Sequence, residues 1–137
     1  MTSTAGDTAR IAGLAQPMVQ QVLLYDALDS SHFLIFVADD HMQYLAVNKT
    51  ACDVLGYTRE ELLMLRVTDI AVDDDAADSY RHLLSNGTHQ GLTHIRAKDG
   101  TLLPFSYNAS EIRIVRLPYY LSIGFIVQPG EAPHPGL

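Results

Sequence analysis

The sequence predicts an α+β fold: a five-stranded antiparallel sheet with short helices over one face, and a further helix before the first strand. Two short runs rich in β-branched and aromatic residues, Phe33–Ala38 and Tyr44–Val47, are separated by a polar segment, as in a β-hairpin. At Asn48 the pattern changes to helix period. Long alternating segments follow towards the end of the chain, and they predict the rest of the sheet.

Two short helices are predicted directly after the second strand. Asn48 is a favoured N-cap because its side-chain oxygen accepts from a free backbone amide, and Gly56 suits the left-handed residue at a helix end. The run Thr58-Arg59-Glu60-Glu61 is a capping-box pattern, in which Thr and the second Glu satisfy each other's free amides. The second helix is therefore expected to begin at Arg59.

A longer helix is predicted after the short turn Val67–Ile70. The acidic run Asp73–Asp75 offers several N-caps, and its charge suits the positive end of a helix dipole. The helix is expected to end at Asn86-Gly87. Its buried face is predicted to consist of Tyr80, Leu83 and Leu84.

Three strands are predicted to complete the sheet: Gly91–Ala97, Leu103–Ala109 and Leu117–Val127. The pair Asp99-Gly100 is expected to supply the positive φ values of a tight hairpin turn between the first two. In the second strand one face carries Leu103, Phe105, Tyr107 and Ala109. In the third, Tyr119, Leu121, Ile123, Phe125 and Val127 share one face, and Tyr120, Ser122, Gly124 and Ile126 share the other.

The chain is predicted to divide into a flexible leader (1–16), an amphipathic helix (17–30), the domain itself (31–128) and a flexible tail (129–137) rich in Pro and Gly. Pro17 suits the first position of the helix because it has no amide proton and a helix-compatible φ. Apolar residues lie on more than one side of this helix. We therefore expect it to cover another surface.

The composition indicates one acidic globular domain. The 137 residues carry a net charge of −7, without the basic stripe that nucleic-acid binding needs. The longest apolar run, Leu117–Val127, is too short to span a bilayer, and Met1–Arg10 does not resemble a signal peptide. One cysteine fits a reducing compartment. We expect a cytoplasmic protein that binds neither nucleic acid nor membranes, although a fragment of a membrane receptor would look the same.

Several motifs occur in an order that resembles a PAS domain. They are Asp39 at the end of the first strand, Asn48 before the helix, Leu55-Gly56-Tyr57, Thr58-Arg59-Glu60-Glu61-Leu62, and Lys98-Asp99-Gly100-Thr101 with Pro104. The resemblance runs from about Leu28 to Val127. It implies an interior chamber that holds haem, flavin, a small organic molecule or nothing. It also implies that the first helix packs on the outer face of its own sheet or pairs with a second copy.

Flavin chemistry is disfavoured by the cysteine position. Flavin-binding relatives carry their cysteine in an Asn-Cys-Arg-Phe run on a later helix, and the corresponding segment Met64–Ile70 has none. Cys52 lies on the helix after the second strand. It is predicted to be a small core residue, because nothing near it in the sequence would lower its pKa.

Haem is disfavoured by the histidine positions, so the cofactor is left unknown. An axial ligand is usually a neutral imidazole. His82 lies on the helix where haem-binding relatives carry their ligand, but its spacing from Tyr80 directs it towards solvent. His94 lies in mid-strand and could face the pocket, yet a lone strand histidine is more often a surface residue.

No enzyme is predicted. The acidic run Asp73–Asp75 is better explained by helix capping than by acid–base catalysis. The sequence contains no Glu-x-x-His, no Gly-x-Ser-x-Gly, no phosphate-binding glycine loop and no metal set with Cys/His spacing.

Two functions are left open. In the first, the chain is a sensory, signal-transducing module that binds a small apolar or aromatic molecule and signals through its sheet face and first helix. The candidate pocket residues are Ile35, Val37, Leu55, Tyr57, Ile70, Tyr80, Leu84, Phe105, Tyr107, Leu121 and Ile123, with Tyr119 as a further hydroxyl. In the second, a ligand-free module forms a homodimer or binds a partner signalling protein. The candidate interface residues are Met18, Val22 and Tyr25.

One departure from the family concerns the end of the domain. PAS domains of larger receptors usually end in an Asp-Ile-Thr-like run that continues into an output helix. Here Val127 is followed by Gln128-Pro129-Gly130, and Pro and Gly would interrupt such a helix. Either the protein acts through a partner, or an output domain lies outside this sequence.

Overall fold

The computed structural model describes residues 13, 16–74 and 76–128. Its helices are α1 (Pro17–Asp29), α2 (Lys49–Leu55), α3 (Arg59–Leu63), α4 (Val67–Ile70) and α5 (Ala76–Asn86). Its strands are β1 (Leu34–Ala38), β2 (Tyr44–Val47), β3 (Thr88–Arg96), β4 (Leu102–Ile114) and β5 (Leu117–Ile126). The predicted tail, nearly all of the predicted leader and Asp75 lie outside the described residues. The proposed domain boundaries stay predictions.

The strands form one antiparallel sheet in the order β2-β1-β5-β4-β3. The hairpin β1–β2 and the meander β3–β4–β5 are joined through the helices α2 to α5, and β5 pairs with β1 at the centre. The core lies between these helices and one face of the sheet, here called the inner face. Inner-face residues include Phe36, Ala38, Phe105, Tyr107, Ala109 and Tyr120. The predicted α+β architecture is confirmed.

The helix ends follow the local capping rules. Asn48 Oδ1 accepts from the backbone amide of Ala51 at 3.1 Å, and Gly56 ends α2 with a φ of 79°. Thr58 Oγ1 accepts from the amide of Glu61 at 3.1 Å, while the Glu61 carboxylate accepts from the amide of Thr58 at 2.9 Å. Both predicted motifs are therefore present, because each is completed by atoms within one helical turn.

The strand register corrects three candidate pocket residues. Ile35 pairs with Ile123, and Val37 pairs with Leu121, so these side chains share the outer face of the sheet, opposite the core. Ile35, Val37 and Ile123 therefore do not face the interior. The reason is physical: β1 is apolar on both faces, and the inner face of β5 carries Ser122 and Gly124 while its more apolar face points outward, so alternation alone does not identify the inward face.

Two strand boundaries and one turn also differ from the prediction. β3 begins at Thr88 rather than Gly91, and β4 continues to Ile114 rather than Ala109, because the ladder extends through polar residues that show no apolar alternation. In the β3–β4 turn Gly100 has a φ of 91°, but Asp99 does not share the positive φ. Its carboxylate instead accepts from the amide of Thr101 at 2.9 Å.

Helix α1 exposes nearly all of its surface. None of its residues is buried, and the apolar side chains of Met18, Val22, Leu23, Leu24, Tyr25 and Leu28 are each about half exposed or more. Within the described part of the chain, no helix is long and apolar enough to cross a membrane. The cytoplasmic location and the absence of nucleic-acid binding stay predictions.

Candidate functional site

A cavity of about 290 Å³ lies between the inner face of the sheet and helix α5. Its aromatic lining residues are Phe36, Tyr44, Tyr80, Phe105, Tyr107 and Tyr120. Its polar lining residues are Ser79, His89, Gln90, Thr93 and Ser122. Among the described residues, no Asp, Glu, Lys or Arg lines it. This size and mainly apolar lining are typical of a site for a small organic molecule.

Ring contacts hold the aromatic lining in place. Phe36 and Phe105 meet edge to face with centroids 5.9 Å apart, and Phe105 stacks nearly parallel to Tyr107 at 5.7 Å. On the side of helix α5, Tyr80 meets Tyr120 edge to face at 5.8 Å. Such contacts add to the energy of burial and restrict each ring to one orientation.

The pKa values of three tyrosines at the cavity are raised. Tyr80 donates its hydroxyl proton to the Asp39 carbonyl, and Tyr120 donates to the Glu111 carboxylate at 3.4 Å. Burial raises the pKa of Tyr80, and the charges of Asp39 and Asp40 raise it further. Burial and then Glu111 raise the pKa of Tyr120. Burial likewise raises the pKa of Tyr44. These side chains therefore contribute dipoles and not charges at neutral pH.

Thr93 carries the least satisfied polar atom at the cavity. The residue is 8% exposed and faces inward on β3 opposite Phe105. Its Oγ1 atom has no hydrogen-bond partner among the described residues. Buried hydroxyls are nearly always paired, and an unpaired one costs about 1–3 kcal/mol. The position is therefore suited to a polar group of a bound molecule.

Two glycines make room for atoms of the neighbouring strand β4. Tyr107 pairs with Gly91 on one neighbouring strand and with Gly124 on the other. A Cβ atom at position 91 would lie 3.0 Å from the Tyr107 hydroxyl oxygen, and one at position 124 would lie 2.2 Å from the Ser106 carbonyl oxygen. The absence of side chains at these two positions therefore shapes the inner face beside the cavity.

Comparison with known proteins identifies the fold family. A family model described as a PAS domain matches residues 31–127. The chain belongs to the PAS domain family. PAS domains are generally sensory and regulatory modules of signal-transduction proteins, such as histidine kinases, rather than catalysts. A search of curated proteins gives no significant match.

Solved PAS structures share the architecture at low identity. The PAS domain of a two-component sensor histidine kinase has a TM-score of 0.73 and 19% identity, covering 82% of this chain and 100% of that one. A domain of a sensory box sensor histidine kinase/response regulator from Geobacter sulfurreducens has a TM-score of 0.70 and 23% identity, covering 82% and 99%. The PAS domain of an HTR-like protein from Haloarcula marismortui has a TM-score of 0.71 and 20% identity, covering 79% and 97%. These likenesses establish the fold alone.

The PAS cavity contains only some of the residues predicted to line it. Tyr80, Phe105, Tyr107 and Leu121 border it, although Leu121 lies on a strand position that faces outward with Val37. Leu55 and Ile70 are fully buried in the core but away from the cavity, while Tyr57 and Leu84 pack half-buried against that core. Tyr119 is half-buried and does not border the cavity.

Sequence reasoning missed Thr93, His89, Gly91 and Tyr120 at this PAS site. His89 lies before the predicted start of β3, whereas Gly91 and Thr93 lie within the predicted strand but are not apolar and so do not indicate a pocket lining. Together with Ile95 these residues share one face of β3, and all four line the cavity. Alternation places Tyr120 on the face opposite Leu121 and Ile123, and that face is the inner one in the structure.

The two histidines considered as haem ligands, His82 and His94, and the single cysteine do not line the cavity, whereas His89 does. His82 is exposed, as predicted, and His94 is also exposed, with its ring nitrogen 3.1 Å from an Asp73 carboxylate oxygen. Cys52 is half-buried against the core, and burial raises the pKa of its thiol. No group of three or more metal-ligating side chains occurs in the described ranges.

Proposed function

We propose that this PAS domain is a sensory module that binds a small apolar or aromatic molecule in the inner-face cavity and signals through the sheet and helix α1. The observation that carries this proposal is an aromatic cavity of about 290 Å³ that contains a buried hydroxyl without a partner. A ring that buries about 200 Å² of apolar surface gains about 5 kcal/mol at 25 cal/mol per Å². After the costs of association, fragments of this size are expected to bind weakly.

Ligand binding is tested by nuclear magnetic resonance on uniformly ¹⁵N-labelled protein with a library of single-ring and two-ring aromatic fragments. We expect hits to shift the amide signals of β3, β4 and β5 around Thr93, Phe105 and Tyr120. Native mass spectrometry and an absorption spectrum of the fresh protein show whether a molecule is already bound. A protein that carries nothing and shifts with no fragment would contradict the proposal.

Signalling to helix α1 has a structural route through Asn48. The Asn48 Nδ2 group donates to the carbonyl of Leu28 at 2.8 Å and to that of Phe33 at 2.9 Å. Its Oδ1 atom accepts from the amide of Ile35 at 3.0 Å and from that of Ala51. One buried side chain thus joins the end of α1 to strand β1 and helix α2. Strand β1 also supplies Phe36 and Ala38 to the cavity.

A salt bridge strengthens the same joint. Asp29 Oδ1, at the end of α1, accepts from the amide of Lys49 at 2.8 Å and from the Arg59 guanidinium at 2.6 Å. Arg59 Nε in turn donates to the carbonyl of Val47 at 3.2 Å. A ligand that favours one packing of β1 would therefore bias the position of α1. The size of that bias equals the difference in ligand affinity between the two arrangements.

The second candidate function is dimerisation through α1 without a ligand, and the unburied helix favours it. Met18 is 77%, Val22 54% and Tyr25 59% exposed. We expect the double substitution Met18→Asp, Val22→Asp to convert a dimer into a folded monomer, because it places two charges in an apolar contact. The measurement is sedimentation equilibrium, with circular dichroism to verify the fold.

The matched control for this experiment is Leu102→Asp, Leu117→Asp, which introduces the same charges at exposed apolar residues outside α1. Leu102 is 51% and Leu117 58% exposed. The control should leave the oligomeric state unchanged. If the α1 variant sediments as a dimer, α1 is not the interface.

A further inference from the structure

The hydrogen-bonding groups of the cavity lining differ in how fully they are engaged. The hydroxyls of Tyr80 and Tyr120 already donate to the Asp39 carbonyl and the Glu111 carboxylate. Among the buried side-chain polar atoms of the described residues, Thr93 Oγ1 is the one left without a partner. A molecule in the cavity therefore meets aromatic faces on several sides, and Thr93 supplies the buried hydroxyl that lacks a partner. Such a site favours a flat ring system with a hydrogen-bonding group placed to reach Thr93.

Carboxylates lie near two of the tyrosines that line the cavity. The carboxylates of Asp39 and Asp40 act on Tyr80, and those of Glu111 and Asp40 act on Tyr120. The nearby cation Arg113 is paired with Glu111 at 3.2 Å, and its effect on Tyr120 is smaller than that of the carboxylates. An anion that enters this cavity would lose its hydration without gaining a cationic partner among the lining residues. The loss of hydration and the lack of a cationic partner both oppose binding of the anion.

Building on the function proposed above, we propose that the cavity selects an uncharged, flat aromatic molecule whose hydrogen-bonding group is held by Thr93, and that it rejects the corresponding carboxylate. Thr93 acts as either donor or acceptor, because a hydroxyl group has one proton and two lone pairs. The amide, hydroxyl and carbonyl groups of neutral aromatic metabolites are therefore all suitable. The carboxylate analogue of the same ring has nearly the same shape, but it carries a negative charge and has no N–H donor.

The test uses aromatic fragments in matched primary-amide and carboxylate pairs, such as indole-3-carboxamide with indole-3-carboxylate and benzamide with benzoate. Binding is titrated by amide chemical shifts at about pH 8, above the range in which histidine ordinarily titrates, because His89 lines the cavity and becomes cationic when protonated. We expect each amide that binds to do so at least tenfold more tightly than its carboxylate. Carboxylates that bind as tightly as their amides would overturn the inference.

The role of Thr93 is tested by Thr93→Val, which removes the hydroxyl and keeps the shape. We expect the affinity for the amide fragments to fall about tenfold, while the shifted signals still map to the cavity. The control is Thr88→Val, because Thr88 lies on the same strand, is exposed and does not line the cavity. It should leave the affinity unchanged. Equal binding by the Thr93→Val variant would show that this hydroxyl does not hold the ligand.

The outcomes separate this inference from the function on which it rests. If no pair binds and no other aromatic fragment does, the proposed ligand-binding function itself fails. If carboxylates bind in the cavity, the function stands and the selection against anions fails. If amides are preferred but Thr93→Val leaves their affinity unchanged, the charge argument stands and the assignment of Thr93 is wrong.

Discussion

The substitution Gly124→Ala is expected to lower the free energy of unfolding by about 3 kcal/mol. An added Cβ atom would lie 2.2 Å from the carbonyl oxygen of Ser106 and 2.8 Å from two atoms of the Phe105 ring. The Ser106 oxygen belongs to the backbone of the neighbouring strand, so relief requires β4 and β5 to separate. Overpacking of a well-packed interior costs about 1–3 kcal/mol, and this contact lies at the severe end. Urea denaturation monitored by circular dichroism measures the change.

Gly91→Ala is the matched control, because Gly91 pairs with the same residue, Tyr107, from the opposite side. There the closest atom is the Tyr107 hydroxyl oxygen at 3.0 Å, at the far end of a side chain that can move. The loss of stability should be about 1 kcal/mol or less, since the reduced entropy of the unfolded chain offsets part of the clash. Equal effects of the two substitutions would contradict the close approach of β4 and β5 at Gly124.

Local sequence determines some parts of this structure, and contacts between distant strands determine others. The caps at Asn48 and Thr58 were predictable because their hydrogen bonds close within one turn of helix. The inward face of β1 was not predictable in the same way. Ile35 is 8% exposed on the outer face and Phe36 is 4% exposed on the inner face, so burial is nearly equal on both sides. Only the pairing with β5 and the position of the helices distinguish them.

The cavity itself depends on contacts between residues that are far apart in the sequence. Tyr80 on α5 reaches the carbonyl of Asp39 at the end of β1. Thr93 is an unpaired buried hydroxyl only in the folded chain, and an isolated Thr in an alternating strand carries no such signal. The family resemblance predicted that a chamber exists. Which residues line the chamber depends on the register of strands that are far apart in the sequence.

The substitution Asn48→Asp is expected to release helix α1 from the domain while it preserves the cap of α2. The introduced carboxyl keeps an oxygen for the amides of Ile35 and Ala51, but it places a second oxygen against the carbonyls of Leu28 and Phe33. The variant loses the two hydrogen bonds to these carbonyls, and its second carboxyl oxygen faces the two carbonyl oxygens instead. This happens at a residue that is only 6% exposed. We expect a loss of about 3 kcal/mol in the free energy of unfolding. Hydrogen exchange should show that the α1 amides lose protection more than those of α2.

The expected pH dependence of this variant follows from the same contacts. Burial beside two carbonyl oxygens raises the pKa of the introduced carboxyl in the folded state, and its protonated form can donate one of the lost hydrogen bonds. The destabilisation relative to the wild-type chain is therefore smallest at low pH and grows as the pH rises through that pKa. Asn86→Asp is the control, because Asn86 also donates to a backbone carbonyl, that of His82 at 3.0 Å, but is exposed. It should cost less than about 1 kcal/mol. If the α1 amides of the Asn48→Asp variant are as protected from hydrogen exchange as those of the wild-type chain, the Asn48 side chain does not couple the helix to the sheet.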